Sequence, residues 1–121
     1  MNETSTTDLV LEFQDTFQRI QSELAKAIIG YEKLIQDILI AFFAGGHVLI
    51  EGVPGTGKTL LVRSLARVLN LSFNRIQFTV DLMPADVTGT RMVMDQDDGR
   101  REFVFSKGPV FAHVLLGDEI N

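Results

Sequence analysis

Gly45-Gly46-His47-Val48-Leu49-Ile50-Glu51-Gly52-Val53-Pro54-Gly55-Thr56-Gly57-Lys58-Thr59 is the stretch on which the reading of this chain turns. Its second half, Gly52 to Thr59, fits G-x-x-x-x-G-K-[ST], the pattern of a phosphate-binding loop. The flanks fit as well. The apolar run His47-Val48-Leu49-Ile50 predicts a strand leading in, and the amphipathic stretch Leu60 to Leu69 predicts a helix leading out. That context distinguishes a nucleotide loop from a glycine-rich turn that happens to precede a lysine. It sets a ligand class, a nucleoside triphosphate with Mg²⁺.

Each residue type has a physical task. Gly52, Gly55 and Gly57 are expected to take positive φ and let the backbone approach phosphate oxygens. The N–H groups of the loop then converge into an anion-binding nest. The helix that follows presents its positive N-terminal end to the same anion. Lys58 supplies a mobile point charge for the β- and γ-phosphates. The Thr59 hydroxyl is a ligand for Mg²⁺.

Composition bounds the rest. The 121 residues suffice for one small domain with a core, and the 45% hydrophobic content is that of an ordinary globular chain. Eleven Lys and Arg against sixteen Asp and Glu leave a net charge of −5, with no basic stripe, which argues against nucleic acid as a partner. ATP is not excluded, because the field of the loop is local. No cysteine is present, so no disulfide framework or thiolate metal site is expected, and the two histidines stand apart. The longest apolar run, Ile38 to Ala44, is far shorter than the roughly 18 residues of a membrane helix. Met1-Asn2-Glu3-Thr4-Ser5 lacks the basic start and apolar centre of a signal peptide, so a cytoplasmic location is the default.

Residues 1–8 are rich in Ser and Thr and are expected to be disordered, with the folded core over 9–121. Phe13, Phe17, Ile20, Leu24 and Ile28 recur at steps of three and four and predict a helix from Leu9 to Ile28. Gly30 interrupts. A second helix is predicted from Tyr31 to Ala44, with Leu34, Ile35, Ile38, Leu39 and Phe42 on its buried face and Gly45-Gly46 as its stop. In the helix after the loop, Leu61, Leu65, Val68 and Leu69 are expected to face a sheet, with Arg63 and Arg67 toward solvent. Phe73 to Val80 alternates as a strand does, with Ile76, Phe78 and Val80 on one face and Arg75, Gln77 and Thr79 on the other. Asp81 to Thr90 reads as a loop. Arg91–Met94 and Glu102–Phe105 around Asp97-Asp98-Gly99 predict a β-hairpin. Pro109 opens a predicted helical turn through Ala112, and His113 to Gly117 predicts a last buried strand.

That strand runs into Asp118-Glu119. Asp118 at its carboxyl end is placed to hold Mg²⁺ through the ion's water shell, and Glu119 to accept a proton from, or orient, an attacking water. Parallel α/β sheets bind ligands beyond the carboxyl ends of their strands, so the loop and the acids are expected to converge. Two acids after an apolar run would by themselves suit an exposed strand-end turn; the loop upstream gives them their reading. A small-molecule kinase activates a substrate hydroxyl rather than water and has less use for the pair. Hydrolysis is therefore favoured, with Glu119 and Lys58 as its catalytic residues.

Here the chain resembles the AAA+ ATPases, and among them the MoxR family. The resemblance rests on Gly45 to Thr59, Arg75-Ile76-Gln77-Phe78-Thr79, Asp81-Leu82-Met83-Pro84-Ala85-Asp86-Val87-Thr88-Gly89-Thr90, Gly108-Pro109-Val110-Phe111-Ala112 and Asp118-Glu119-Ile120-Asn121. It implies an α/β P-loop NTPase fold: part of a three-layer αβα core with an inserted β-hairpin and no lid domain. It implies ATP and Mg²⁺ as ligands, held by Gly52, Pro54, Gly55, Thr56, Gly57, Lys58, Thr59 and Leu60, with Thr59 and Asp118 serving the metal. By the same resemblance Ile28-Ile29-Gly30-Tyr31 is the segment that packs against adenine, through Ile29 and Gly30; a plain helix break at Gly30 is the competing reading. The family implies a ring, often a hexamer, chaperone-like action on a client protein, and von Willebrand A domain partners. The Arg91 to Phe105 hairpin is either a pore or partner contact or a decoration of a sheet edge.

A working module of that family also needs a sensor residue, an arginine finger and a helical lid, none of which is recognised before Asn121. The chain is expected to be an N-terminal fragment, weak or inactive in hydrolysis, with three core strands where the family has five. Two other functions stay open at this point: a nucleotide-binding interaction module that does not hydrolyse, and a small P-loop kinase.

Overall fold

The computed structural model describes residues 5–53, 55 and 57–120. Residues 1–4, within the segment expected to be disordered, and Pro54, Thr56 and Asn121 lie outside the described residues. The chain divides into two compact units, Met1–Asn70 and Leu71–Asn121.

The first unit is helical: α1 (Thr6–Ala27), α2 (Glu32–Phe43) and α3 (Lys58–Val68). Ser5 caps α1, its hydroxyl oxygen accepting the Thr7 N–H at 3.2 Å, so the helix begins ahead of its periodic stripe. The stripe does bury, but chiefly at its C-terminal half. Ile20, Leu24 and Ile28 join Ile35, Ile38 and Leu39 of α2 and Leu61 and Leu65 of α3 in one cluster. Leu24 and Leu39 are wholly enclosed, and each such side chain contributes about 1.5–3 kcal/mol. Phe13, nearer the start of α1, stays half exposed and meets Phe43 edge-on at 5.2 Å between ring centroids. Gly45 ends α2 at φ 72, with the Gly46 N–H reaching back to the Ala41 carbonyl at 2.8 Å.

One expectation for this unit is corrected. His47–Ile50 is not a strand. A strand exists only through its ladder, and no described strand pairs with this run; Val48 and Leu49 are exposed while Ile50 packs on the helical cluster. Within the unit, Leu61 and Leu65 of α3 join the helical cluster, and Val68 is 37% exposed.

The second unit contains β1 (Phe73–Gln77), the short helix α4 (Pro84–Thr88), β2 (Gly89–Asp95), β3 (Arg101–Lys107) and β4 (Val114–Asp118). β1 and β4 are parallel, in register from Phe73↔Val114 to Gln77↔Asp118. So two of the three predicted core strands pair, and in the parallel sense. β1 stops short of its predicted end. Phe78 still donates its N–H to the Asp118 carbonyl at 2.9 Å, but Val80 is fully exposed rather than core-facing.

The start of the ladder is clasped by side chains. The His113 N–H donates to the Ser72 hydroxyl oxygen at 2.9 Å, and the Ser72 N–H donates to His113 Nδ1 at 3.2 Å. The Ser72 hydroxyl itself lies 2.8 Å from the same ring nitrogen.

The hairpin is present and longer than predicted, β2 and β3 pairing from Gly89↔Lys107 to Asp95↔Arg101. Gly99 closes the turn at φ 77, with the Gln96 N–H on the Arg100 carbonyl at 2.8 Å. At the hairpin's root, backbones cross closely. A Cβ on Gly89 would stand 2.1 Å from the Ser106 carbonyl oxygen, and one on Gly108 would stand 2.3 Å from that of Val87.

Within the predicted loop Asp81 to Thr90, residues 84–88 form α4. Pro84 opens it with a preset φ, and the Asp86 carboxylate accepts the Met83 N–H at 2.9 Å. The residues after Pro109 form bonded turns rather than a helix, the Phe111 N–H reaching the Gly108 carbonyl at 3.2 Å. No helix among the described residues is long and apolar enough to cross a membrane.

Candidate nucleotide site

The phosphate loop is built by α3 and the residues that lead into it. Gly55 and Gly57 hold φ 85 and 79, the left-handed region that glycine takes without strain. Gly52 does not, which corrects the expectation of positive φ there. Its contribution is its carbonyl oxygen, which accepts a hydrogen bond from Lys58 Nζ at 2.6 Å. The ammonium is thereby held over its own loop. A phosphate oxygen, being charged, is a stronger acceptor than this carbonyl and displaces it readily. Pro54 and Thr56, two further predicted contacts, lie outside the described residues.

Gly57 is also the N-cap of α3, its carbonyl accepting the Leu61 N–H at 2.9 Å. The first-turn N–H groups of Lys58, Thr59 and Leu60 have no intrahelical acceptor, and the turn carries no acidic residue to offset its positive end. Thr59 is half-buried in that turn, and Leu60 is exposed. First-turn amides, an ammonium and a hydroxyl together form a donor set suited to a polyphosphate.

Ile29 and Gly30 sit in the turn between α1 and α2. Gly30 has φ 89 and open space where a Cβ would stand, and Ile29 is 88% exposed. Gly30 does break the helix, as one reading holds. Neighbouring Ile28 packs in the same cluster as Ile50, which leads into the loop, and Leu61, which leaves it.

The two predicted acids lie in the second unit, where β4 ends. Asp118 Oδ2 accepts Arg75 Nε at 3.0 Å and also Arg75 Nη2. Asp118 Oδ1 accepts the Glu119 N–H at 3.0 Å. Glu119 Oε2 accepts Gln77 Nε2 at 3.1 Å. Glu119 itself stands at φ 56, a conformation that costs a non-glycine residue about 1–2 kcal/mol. The roles of Arg75 and Gln77 escaped the sequence reading. Alternation did put both on one face of β1, but only the parallel register brings that face to the acids.

Thr59 and Asp118 offer hard oxygen donors of the kind Mg²⁺ takes. Among the described residues no group of three or more His, Cys, Asp or Glu could hold a metal ion. An ion held at either residue would draw most of its ligands from nucleotide phosphate and water, the usual habit of Mg²⁺. Nearby in sequence, a hydrogen bond from the Thr79 side chain, then Asp81's own backbone, hold the exposed Asp81 carboxyl below the usual carboxylate range.

Residues 47–121 match the model of the ATPase family associated with various cellular activities (AAA). The chain is 47% identical over 106 residues to Chaperone MoxR1 of Mycobacterium tuberculosis, an alignment covering 88% of this chain and 27% of that protein. It is 42% identical over 79 residues to Protein MoxR of Methylorubrum extorquens, covering 65% and 23%. The crystal structure of a protein assigned as an ATPase, from Cytophaga hutchinsonii, superposes with a TM-score of 0.75 at 39% identity, covering 92% of this chain and 33% of that one. The chain thus spans between 23% and 33% of the length of these relatives. With a phosphate loop and an α/β fold inside the matched region, this chain belongs to the AAA ATPase family and is MoxR-like within it.

Proposed function

We propose that this chain binds ATP with Mg²⁺ and that the whole protein hydrolyses it to drive chaperone-like work on another protein. The observation that carries the reading is the Lys58–Gly52 bond at 2.6 Å beside an α3 capped by left-handed Gly57. An ammonium and a positive helix end are set at one loop with no acid in the helix's first turn.

In this reading residues 52 and 54–60 hold the phosphates, and Ile29 and Gly30 take the adenine. Thr59 and Asp118 serve Mg²⁺, which offsets charge on the β- and γ-phosphate oxygens. Glu119 orients the attacking water and takes its proton as the oxygen bonds to the γ-phosphorus and the bond to ADP breaks. The name of the Mycobacterium relative supports the chaperone-like role. A cytoplasmic hexameric ring acting on a client, or on a von Willebrand A domain protein, follows from family likeness.

The test has two parts. The chain should bind a fluorescent ATP analogue, and Lys58→Ala should weaken binding at least tenfold, about 1.4 kcal/mol. In the whole protein, Glu119→Gln should keep binding and lose turnover. No binding by the unaltered chain overturns the reading. Binding with no turnover in the whole protein would leave a nucleotide-dependent interaction module, and transfer of phosphate to an added alcohol would leave a kinase.

A further inference from the structure

Asp118 has two carboxylate oxygens, with room for about four donors. Oδ2 is taken twice by one guanidinium, through Nε at 3.0 Å and through Nη2. Oδ1 accepts the Glu119 N–H. The carboxylate proposed to serve Mg²⁺ is therefore charge-paired with Arg75 in this structure. The pairing is partly sheltered, with Asp118 at 28% and Arg75 at 42% side-chain exposure. It is also fixed in direction. β1 and β4 are in register at Gln77↔Asp118, so Arg75, two residues earlier on the same face, lies diagonally across from Asp118.

A salt bridge across two strands can serve only to tie them. Two features point further. The guanidinium engages the acid at the strand's carboxyl end, where parallel α/β sheets present their ligand groups. It also occupies one oxygen fully and leaves the other with a single donor, so a cation meets Asp118 with a positive group already beside it. Like charge opposes a divalent ion more than a held rotamer assists it, because the charge product is doubled.

We propose that Arg75 is a positioning residue that keeps Asp118 closed to divalent cations, so that Mg²⁺ engages this carboxylate only when nucleotide phosphates supply its other ligands. This rests on the ATP-binding reading above. Arg75 thereby sets how much Mg²⁺ adds to nucleotide affinity, and it reduces that gain.

The measurement is the affinity of the chain for a fluorescent ATP analogue with Mg²⁺ and with EDTA, taken as a ratio. Any general loosening of the fold enters both affinities and largely cancels. Arg75→Gln, which keeps an amide donor and removes the charge, should raise the ratio on the order of fivefold, the upper range for a partly exposed pair. Arg75→Lys, which keeps the charge but loses the paired donors, should raise the ratio less than Arg75→Gln does. Asp118→Asn added to Arg75→Gln should abolish the gain. A ratio that falls or does not change in a folded Arg75→Gln chain, judged by circular dichroism, overturns the proposal. So does a gain that survives Asp118→Asn. Loss of all nucleotide binding from the unaltered chain is a different failure: it removes the ATP-binding reading and this inference with it.

Discussion

Lys58 reaches back over its own loop to donate a 2.6 Å hydrogen bond to the carbonyl of Gly52. The bond is exposed and its acceptor is neutral, so it adds only about 0.5–1.5 kcal/mol to the fold. Its main effect is to place a charge before the ligand arrives. Lys58→Ala should therefore separate two quantities. Denaturant midpoints should shift little, while nucleotide affinity drops at least tenfold. Paired titration and unfolding curves check this, and a large stability loss with intact affinity would contradict it.

The helical cluster joins the loop's two flanks, since Ile50 and Leu61 pack with Leu24 and Leu39. Leu24→Ala or Leu39→Ala opens a void in a fully enclosed position and should cost about 2–5 kcal/mol. The loop should register the same void. Nucleotide affinity should weaken several-fold even under conditions where the variant stays folded by circular dichroism. Unaltered affinity would show that the loop does not depend on this packing.

At the root of the hairpin, a side chain at Gly89 or Gly108 would overlap backbone atoms at 2.1 and 2.3 Å. Backbone cannot swing aside as a side-chain tip can. Gly89→Ala and Gly108→Ala should each cost more than about 2 kcal/mol and strip amide protection from β2 and β3. Gly99, at φ 77 with open space around its Cβ position, should cost only about 1 kcal/mol on the same change. Hydrogen exchange resolves the three, and equal effects would refute the steric account.

Glu119 holds φ 56 at the end of β4, strain of a kind often found at reactive positions. Replacing it with glycine relieves the backbone but loosens the unfolded chain, effects of similar size. Glu119→Gly should leave stability within about 1 kcal/mol of the original, and Glu119→Ile should lower it by about 1–2 kcal/mol. Both should lose turnover in the whole protein. If isoleucine were tolerated as well as glycine in urea unfolding, the strain would not be real.

What could be read in advance followed from local physics. The stripe Ile20-Leu24-Ile28 and its counterpart Ile35-Ile38-Leu39 are periodic, and periodicity survives whatever else the chain does. The hairpin was legible because Asp98 and Gly99 supply turn chemistry between two alternating runs. The phosphate loop was legible because glycine and lysine at fixed spacing have few other uses. Pro84 followed by Asp86 was a start signal for α4 that the loop reading passed over. Pairing was another matter. Nothing local in Val48-Leu49 says that no described strand takes it up, and nothing local in Arg75 or Gln77 names its partner. Those facts belong to register, which two distant segments decide together.

Ser72 and His113 stand at the opposite end of the ladder from Asp118, yet their clasp holds the two strands in step. A slip of one residue would turn Asp118 away from the face that carries Arg75 and Gln77. A substitution at either clasp position would touch none of the residues proposed to meet ATP. Its damage would still surface among them. When natural variants or engineered libraries of this chain are sorted, positions 72 and 113 belong with the acids they keep in line, not with the tolerant surface around them.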